Sequence, residues 1–417
     1  MHLLPKVLPV LAWLIAAAWL VRLGEAVLGF RRVPNLTSPE FDAAPEGNPR
    51  AAVIVPARNE AVSVLASITS LLEQDYPNLR IIAVDDRSTD ATGTILDQLV
   101  NQVSKDPAGE PATRRLTAKL RVLHVTELPA GWLGKTHAMA LAAHEAIESF
   151  APEYLLFTDA DVHFSPEALR RSLVAATRAR ADHFVTLPTT LAKTRGEALM
   201  LAFLQVLSVW AVRNWRIADP SAKRDAIGVG AFNLIRTQVY QQAGGFEALR
   251  MEVLEDLTLG RILKRAGFRQ RVALAPGMVS VHWAAGVAGI VRGMTKNFFA
   301  VFEYRLATVV GATLLTAILC LGPAFLIGVH GARLPAFLAW VGAGGLYVVC
   351  GRVSRISPWY AVSMPVGAVL VIYAMLRSTL VTSIRGGVVW RGTFYPLHEL
   401  RRHQAERRLR GIGKATR

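Results

Sequence analysis

Two carboxylates, Asp159 and Asp161, follow closely on the apolar run Tyr154–Phe157 in the segment LLFTDADV. Because side chains alternate along a strand, both carboxylates can leave one face of the strand end. Neighbouring carboxylates repel each other unless a cation lies between or beside them. Mg²⁺ and Mn²⁺ take oxygen ligands and are usually shared with the phosphates of a bound ligand. The pair therefore predicts a Mg²⁺ or Mn²⁺ site that neutralises a nucleotide diphosphate.

Two further polar clusters follow apolar runs earlier in the chain. Residues 56–60 read PARNE, and residues 85–90 read DDRSTD. In an open parallel sheet the carboxyl ends of the strands face the ligand crevice, so all three clusters are expected at one edge. Asp and Ser are common in turns and helix caps, so any one cluster alone is weak support. Three clusters at the same edge predict a single binding site.

The elements that must position these clusters are typical of an α/β domain. Short runs rich in Val, Ile and Leu alternate with segments of helical spacing, which predicts a doubly wound, mostly parallel sheet. Residues 105–117 are polar and contain Pro and Gly, which indicates a surface loop. The predicted strands are 51–55, 80–84, 121–125 and Tyr154–Phe157, and the predicted helices are 61–72 and 136–147.

Apolar stretches flank this domain on both sides. Residues 306–329, 334–351 and 356–376 carry no charge, and a helix needs about 20 apolar residues to cross a bilayer. Residues 7–21 are also uncharged. This apolar region is long for a signal peptide and no convincing cleavage site follows, so we expect an uncleaved anchor. The predicted units are an anchor at 1–30, a soluble domain at 48–282, an amphipathic helix at 285–304, a transmembrane region at 305–382 and a basic tail at 383–417.

Two shorter segments are expected at the membrane surface. Residues 198–212 are apolar but short, with Glu197 before them and Arg213 after them. Within 285–304, apolar residues recur at helical spacing, while Arg292 and Lys296 occupy other positions. Such a basic amphipathic helix either lies on a bilayer surface or packs on the soluble domain, and the pattern favours neither position.

Basic residues predict the side of the membrane on which the domain lies. Arg22, Arg31 and Arg32 follow the anchor, which favours a multi-pass protein of the cell (inner) membrane with the soluble domain in the cytoplasm. Residues 385–417 hold nine Lys and Arg against two Glu, so the tail is also expected there. Two cytoplasmic ends require an even number of C-terminal crossings, so one of the three stretches is expected to be re-entrant or interfacial.

The net charge of +16 over 417 residues favours an anionic partner. The basic residues concentrate in the tail and near the apolar stretches, without the interleaved aromatics of nucleic-acid modules. Anionic lipids are therefore the expected partner, and nucleic acid is not. Cys320 and Cys350 lie in apolar runs and indicate neither a disulfide framework nor a metal site. A transporter would need ionisable groups within its spans, and the three C-terminal stretches carry no charge.

Five motifs follow one another over roughly residues 50–280: VIVPARNEA, IIAVDDRSTDAT, GWLGKTHAM, LLFTDADV and the long stretch from GAFNL to LKRAGF. In this order they resemble the family 2 glycosyltransferases with the GT-A fold. The chain is most similar to membrane-bound members that act on lipids, such as the ceramide, hopanoid-associated and carotenoid glycosyltransferases. The resemblance implies a metal-dependent, inverting transfer of a sugar from a nucleotide-diphosphate sugar, a UDP-sugar in preference to a GDP-sugar, to the hydroxyl of a membrane lipid.

The resemblance also implies roles for particular residues. Asp159 and Asp161 would bind the metal, and Asp159 also the donor phosphates. Lys135 would meet the diphosphate as a point charge, and the alternative is an ordinary surface lysine. Glycines on the acceptor side let the backbone approach the sugar. The implied nucleotide-pocket residues are Pro56, Ala57, Arg58, Glu60 and Asp85 or Asp86, and the implied acceptor-side residues are Gly230, Asn233 and Gly245.

Asp256, with Glu255 beside it in LEDLTLG, matches the general base of the family. It would remove the proton of the acceptor hydroxyl as that oxygen attacks the anomeric carbon from the face opposite the diphosphate. Burial beside Glu255 is expected to raise the pKa of Asp256. The alternative interpretation is an N-cap for a helix at residues 257–266, and the two roles are compatible.

One departure from the family pattern concerns the helix after the base. Polysaccharide synthases and ceramide-type members carry a Gln/Arg-x-x-Arg-Trp motif there, whereas residues 291–298 read VRGMTKNF. This favours one-step transfer to a lipid, with Arg292 or Lys296 as the candidate to neutralise the leaving diphosphate. A polyprenyl-phosphate glycosyltransferase or a polysaccharide synthase is the alternative enzyme, and a transporter with a degenerate soluble domain is the non-enzyme alternative. The sugar, the nucleotide base, the lipid and the oligomeric state do not follow from the sequence.

Overall fold

The computed structural model describes residues 4–104 and 119–410. The loop expected at 105–117 and the end of the basic tail lie outside these residues. The described chain divides into an α/β domain and a group of apolar helices. The strands are β1 (Ala51–Ala57), β2 (Leu79–Asp86), β3 (Leu120–Val125), β4 (Tyr154–Phe157), β5 (Val162–Phe164), β6 (His183–Leu187), β7 (Thr189–Thr190), β8 (Asn233–Arg236), β9 (Gln270–Leu274), β10 (Val279–Val281), β11 (Gly387–Trp390) and β12 (Thr393–Pro396).

The helices fall into two groups by what they cover. Those of the α/β domain are α2 (Val64–Leu72), α3 (Thr92–Ser104), α4 (Gly134–Phe150), α5 (Ala168–Arg178), α7 (Thr237–Gln242) and α8 (Glu255–Arg265). Those of the apolar group and the C-terminal region are α1 (Leu4–Phe30), α6 (Arg195–Ala211), α9 (Gly286–Val301), α10 (Leu306–Cys320), α11 (Gly322–Leu326), α12 (Arg333–Ser354), α13 (Met364–Arg385) and α14 (Leu397–Arg410).

Seven strands form the central sheet in the order β3-β2-β1-β4-β8-β6-β9. β1 pairs in parallel with β2 and β4, and β8 runs antiparallel to both of its neighbours. The strand order reverses between β1 and β4, which is where an open α/β sheet binds its ligand. The predicted α/β fold with a mostly parallel sheet is confirmed. Each of the four predicted strands is present, and three extend slightly further than predicted.

Each face of the sheet carries its own apolar core. Val53 and Val55 of β1 join one core, which α2, α3 and α5 cover, and Ala52 and Ile54 join the other, which α4 and α8 cover. Strands buried on both faces read as continuous apolar runs, which explains the sequence pattern of β1, β2 and β4. The two cores fix the strand ends, and with them the polar residues that follow each strand.

A third apolar core joins α1, α6, α9, α12 and α13. Segment 198–212 was expected at the surface, but the helix that contains it begins at Arg195 and is followed by a further turn, so it is long enough to cross a membrane. The other candidates match the predicted anchor and the three C-terminal stretches. Five helices in the described chain are long and apolar enough to span: Val7–Phe30, Arg195–Arg216, Leu306–Leu326, Arg333–Ser354 and Pro358–Arg385.

The amphipathic helix α9 lies between the apolar helices and the α/β domain. Ile290 and Met294 belong to the core of the apolar helices, whereas Phe299 packs in a cluster with Leu133 at the start of α4. The hydroxyl of Ser378 on α13 donates a 2.6 Å hydrogen bond to the carbonyl of Thr295, which ties α9 to the last apolar helix. The helix therefore contacts both the apolar helices and the soluble domain, and its location at a bilayer surface stays a prediction.

Candidate active site

The carboxyl ends of β1, β2 and β4 meet at one cavity of about 270 Å³. Arg58 follows β1, Asp86 ends β2, and Asp159 and Asp161 follow β4, and all four line the cavity. Lys135, in the first turn of α4, completes this side. The three polar clusters of the sequence therefore contribute to one site, as their positions at the strand ends predicted.

Asp86 is held rigidly at the back of this cavity. Its buried carboxylate accepts hydrogen bonds of 2.7 and 3.1 Å from the Arg87 guanidinium, and Arg58 Nη1 lies 3.7 Å away. Asp85 instead lies 3.3 Å from His124 Nδ1 and accepts a 3.3 Å bond from the backbone N–H of Ser88. Of the two predicted alternatives, Asp86 faces the cavity, whereas Asp85 is not among the described residues that line it.

Lys135 forms ion pairs both with Asp159, which follows β4, and with Glu255 at the start of α8. Its Nζ lies 2.5 Å from Asp159 Oδ1 and 2.7 Å from Glu255 Oε1, and a fifth of its side chain is exposed. Burial disfavours the ammonium, but Asp159, Glu255 and Asp256 outweigh this effect and raise the pKa of Lys135. Lys135 is therefore a fixed positive charge inside the site and not the surface lysine of the alternative interpretation.

Asp159 and Asp161 differ in how their charge is balanced. Burial opposes ionisation of Asp159, but contact with Lys135 holds its pKa below the usual value. Burial, then Asp159 and then Glu60 raise the pKa of Asp161 to about 7. A divalent cation would relieve this repulsion. Among the described residues, no group of three or more His, Cys, Asp or Glu could hold a metal ion.

A second cavity of about 320 Å³ adjoins the first. Glu255 and Asp256 at the start of α8 line it, as does Gly230 before β8. Asp159 and Lys135 line both cavities. The two cavities therefore offer adjoining spaces for two ligands, which would meet next to Asp159 and Lys135.

Asp256 is the carboxylate whose environment best suits a general base. Burial, then Glu255, raises its pKa to about 7, while Lys135 opposes this shift. Its Oδ1 accepts a 2.7 Å hydrogen bond from the backbone N–H of Leu257. The helix begins two residues earlier than predicted and Leu254 occupies the N-cap, so Asp256 lies in the first turn and the N-cap interpretation is wrong. The raised pKa was predicted from burial beside Glu255, and the structure agrees.

The three predicted acceptor-side residues take different positions. Gly230 lines the second cavity. Asn233 lies deeper, where its buried side chain forms a hydrogen bond with His183. Gly245 has a φ of +56° and lies in a turn packed against Tyr240, and it is not among the described residues that line either cavity. Of the three, only Gly230 lines the second cavity.

Gly230→Ala is expected to lower kcat/KM about tenfold or more with little change in Tm. A Cβ at this position would lie 2.6 Å from Asp159 Oδ2, so the carboxylate would have to move, and small misplacements of reacting groups reduce rates strongly. Steady-state kinetics and thermal unfolding of the detergent-solubilised protein measure both effects. Gly344→Ala, at a helical glycine with open space around it, is the control. Unchanged kinetics in Gly230→Ala would contradict the close approach of Gly230 to a functional carboxylate.

Several lining residues were not found from the sequence. Trp283 lines both cavities, and Trp390, Arg391 and Tyr395 come from the hairpin β11–β12, far along the chain. The cluster WRGTFYPL, which combines aromatic and basic residues after the last apolar stretch, was the available signal. Glu60, predicted for the nucleotide pocket, pairs with Arg391 and is not among the described residues that line either cavity.

Lys296 is the cation that α9 directs into the site. It lines both cavities, and its Nζ lies 4.1 Å from the ring centroid of Trp390. Burial, then Lys135, lowers its pKa to about 8. Arg292, the other candidate on this helix, is exposed and is not among the described residues that line either cavity. Of the two residues considered as replacements for the Gln/Arg-x-x-Arg-Trp motif, the geometry supports Lys296.

A mostly parallel α/β sheet with carboxylates at its switch point agrees with the predicted GT-A fold. Residues 52–242 match the model of the family described as Glycosyl transferase family 2. This region therefore forms a glycosyltransferase family 2 domain, and the protein is a glycosyltransferase. No curated protein matches the chain.

The chain has low similarity to solved glycosyltransferase structures. One is the mannosyltransferase PcManGT from Pyrobaculum calidifontis in complex with GDP-Man and Mn²⁺, at 18% identity and a TM-score of 0.48, covering 88% of this chain and 98% of that one. Another is S. aureus TarS 1-349 in complex with UDP, at 15% identity and a TM-score of 0.37, covering 83% and 96%. The same TarS fragment in complex with UDP-GlcNAc has 16% identity and a TM-score of 0.38, with the same coverage.

Proposed function

We propose that the protein transfers a sugar, with inversion, from a nucleotide-diphosphate sugar to the hydroxyl of a membrane lipid. The observation that carries this proposal is the pair of cavities that meet at Asp159 and Lys135, with Asp256 on the second side. A transfer between two bound substrates needs such an arrangement, because the attacking oxygen must approach the anomeric carbon from the face opposite the leaving group. The first cavity would hold the donor and the second the acceptor.

The donor side combines fixed positive charge with carboxylates that suit a metal. Asp159 and Asp161 would hold Mg²⁺ or Mn²⁺, which, when bound, would neutralise charge on the diphosphate. Lys135 and Lys296 place two ammonium groups along the same wall. Asp86, fixed by Arg87, offers a carboxylate to hydroxyl or amide donors of the nucleotide. A UDP-sugar is the first donor to test, followed by a GDP-sugar.

In the second cavity, the acceptor oxygen would displace the diphosphate from the sugar in a single step. The acceptor hydroxyl would lie beside Asp256, which takes its proton as the oxygen forms a bond to the anomeric carbon. The bond between that carbon and the diphosphate breaks, and its electron pair leaves with the diphosphate. Lys296 and Lys135 stabilise this developing charge from fixed positions. Glu255 holds Lys135 at 2.7 Å and so positions the base and the cation relative to each other.

A lipid acceptor is supported by the surroundings of the second cavity. Val229, Val253, Leu254 and Val281 give it an apolar wall, and the half-exposed Trp283 lies at the same cavity. The apolar helices, long enough to span a membrane, pack against α9, which also lines this cavity through Lys296. We place the catalytic domain at the cytoplasmic face of the cell membrane, with the basic tail near anionic lipids.

The deciding experiment measures nucleoside diphosphate release by the detergent-purified protein from UDP- and GDP-sugars, with Mn²⁺ or Mg²⁺ and a membrane lipid extract. Release is expected to require lipid and metal, to place the sugar in an organic-solvent extract, and to disappear in Asp159→Ala. Asp97→Asn, an exposed carboxylate on α3, is the control. Release without lipid, or products of increasing chain length, would favour a polymer synthase. The absence of release with every donor would favour a degenerate domain.

The pH profile of kcat/KM is expected to be bell-shaped. Asp256 must be ionised to accept a proton, and with a pKa of about 7 its ionised fraction grows as pH rises through 7. Glu255, Lys135 and Asp159 are the charged groups that face it. Lys296, with a pKa of about 8, loses its charge as pH rises further, so activity falls again. Rates over pH 5–10 report both limbs for the free enzyme.

Lys296→Arg tests the assignment of the alkaline limb. Arginine stays protonated throughout this range, so the variant should keep the acidic limb and lose the alkaline one. An alkaline limb that persists unchanged in Lys296→Arg would show that another group causes it.

A further inference from the structure

The hairpin β11–β12 forms one wall of the first cavity, although it follows the last apolar helix. Trp390 and Arg391 line this cavity, as does the buried Tyr395. The hydroxyl of Tyr395 accepts a 3.3 Å hydrogen bond from the backbone N–H of Gly134, the residue before Lys135. The hairpin is therefore docked on the turn that presents Lys135 to the site.

Arg391 occupies an unusual backbone position in this hairpin. Trp390 pairs with Thr393, so Arg391 and Gly392 form a two-residue turn with φ values of +47° and +81°. Such turns favour Asn-Gly, because both central residues adopt the left-handed region, which suits neither long nor branched side chains. A non-glycine residue held in this conformation next to a binding cavity points to a role for its side chain.

The contacts of Arg391 place its charge at the donor side. Its guanidinium donates to the backbone carbonyl of Arg58 and to the carboxylate of Glu60, both in the segment after β1. It is close enough to Asp159 and Lys296 to shift the pKa values of both. A guanidinium has five N–H donors, and these two contacts use only some of them. The remaining donors can bind a ligand, since the side chain is two-fifths exposed.

The other cations of this cavity also have partners within the site. Lys135 lies against Asp159 and Glu255, and Arg58 faces Asp86. Lys296 is held over the ring of Trp390, the residue that precedes Arg391. A planar guanidinium suits phosphate oxygens better than an ammonium does, because it can donate two parallel hydrogen bonds.

We propose that Arg391 is a donor-binding residue that contacts the diphosphate of the nucleotide sugar, and that Trp390 positions Lys296 for the same group. The inference rests on the proposed function, since it requires a nucleotide diphosphate in the first cavity. It adds a cation from the C-terminal hairpin to Lys296, the cation that α9 supplies to the same cavity.

The test uses the full-length protein in detergent with UDP and GDP as probes, in the presence of Mn²⁺, and measures affinity by calorimetry and Tm in parallel. Arg391→Asn is informative because Asn suits the turn while removing the guanidinium. Binding should weaken about 10- to 100-fold, as expected for the loss of one hydrogen bond to a charged group, with Tm unchanged or higher. Arg385→Asn, at an exposed arginine at the end of α13, is the matched control and should bind as the wild type does.

The outcomes separate this inference from the proposed function. Wild-type binding of UDP or GDP with equal binding by Arg391→Asn would overturn the role of Arg391 and leave the donor cavity intact. A fall in affinity with a parallel fall in Tm would also overturn it, because the hairpin would then act only as structure. Failure of the wild type to bind either nucleotide would overturn both the donor assignment and the inference built on it.

Discussion

Replacing Asp256 with Asn should lower kcat about 10²- to 10⁴-fold, the range that a general base contributes, while leaving the affinity for the nucleotide donor nearly unchanged. The amide has nearly the same shape and can still accept the hydrogen bond from Leu257, so the start of α8 keeps its geometry. It cannot take a proton from the acceptor. Turnover measured with the donor identified by the release assay, together with donor binding by calorimetry, separates these two effects.

The same substitution is expected to stabilise the fold at alkaline pH. The pKa of Asp256 rises from 3.8 to about 7 in the folded protein, so between these values the folded state holds a proton that the unfolded chain has released. Stability therefore falls as pH rises through this window. Asn has no such ionisation, and its Tm at pH 8 should exceed that of the wild type. At pH 4 the difference should be small.

Asp97→Asn is the matched control for both measurements, since this exposed carboxylate lies on α3 away from both cavities. Activity retained in Asp256→Asn would remove Asp256 from the mechanism. An Asn variant that is inactive and also less stable at pH 8 would instead indicate that the carboxylate has a mainly structural role.

Replacing Lys135 with Met is the second change with a large expected effect. It should destabilise the protein by about 3 kcal/mol, near the lower end of the cost of removing one partner from a buried ion pair, since a fifth of the lysine is exposed. Asp159, Glu255 and Asp256 would then face one another without the central cation. Donor binding should also weaken strongly, since one phosphate-facing charge is lost.

The pH dependence of this destabilisation provides a further check. Without Lys135, Asp159 and Asp256 can lower their mutual repulsion by taking up protons, so the loss of stability should be smaller at pH 6 than at pH 8. Urea unfolding at both pH values measures this difference, with the exposed lysine Lys193→Ala as the control. A loss of stability that is equal at both pH values, or absent, would show that Lys135 does not offset the carboxylates.

The sequence predicted which strand ends meet at the first cavity, because the relevant signals are local. Each polar cluster follows a strand directly, so the sheet topology alone brings Arg58, Asp86 and Asp159 to one edge. The sequence could not separate Asp85 from Asp86. Their side chains point to opposite faces of the strand end. Asp86 faces the cavity because Gly134 and Arg87 lie on its side of the strand, and the sequence does not show this.

The rest of the site depends on packing between distant parts of the chain. Arg292 and Lys296 lie one turn apart on nearly the same side of α9, and only the placement of that helix along the strand ends decides which of them enters the cavities. The hairpin residues are further still from the strand ends in sequence. Periodicity carries no information on where a segment that follows several apolar helices returns to the domain.

The location of the hairpin has a practical consequence for any shortened version of this protein. The match to the family model ends at residue 242, before Asp256, and the α/β domain ends near β10. A fragment cut after β10 to improve solubility would retain the complete seven-stranded sheet and the carboxylates that follow β4. It would lack Lys296, Trp390 and Arg391, and with them one side of the first cavity. A fragment with a complete first cavity must therefore extend past the α/β domain to the hairpin β11–β12, and must include the apolar helices between them.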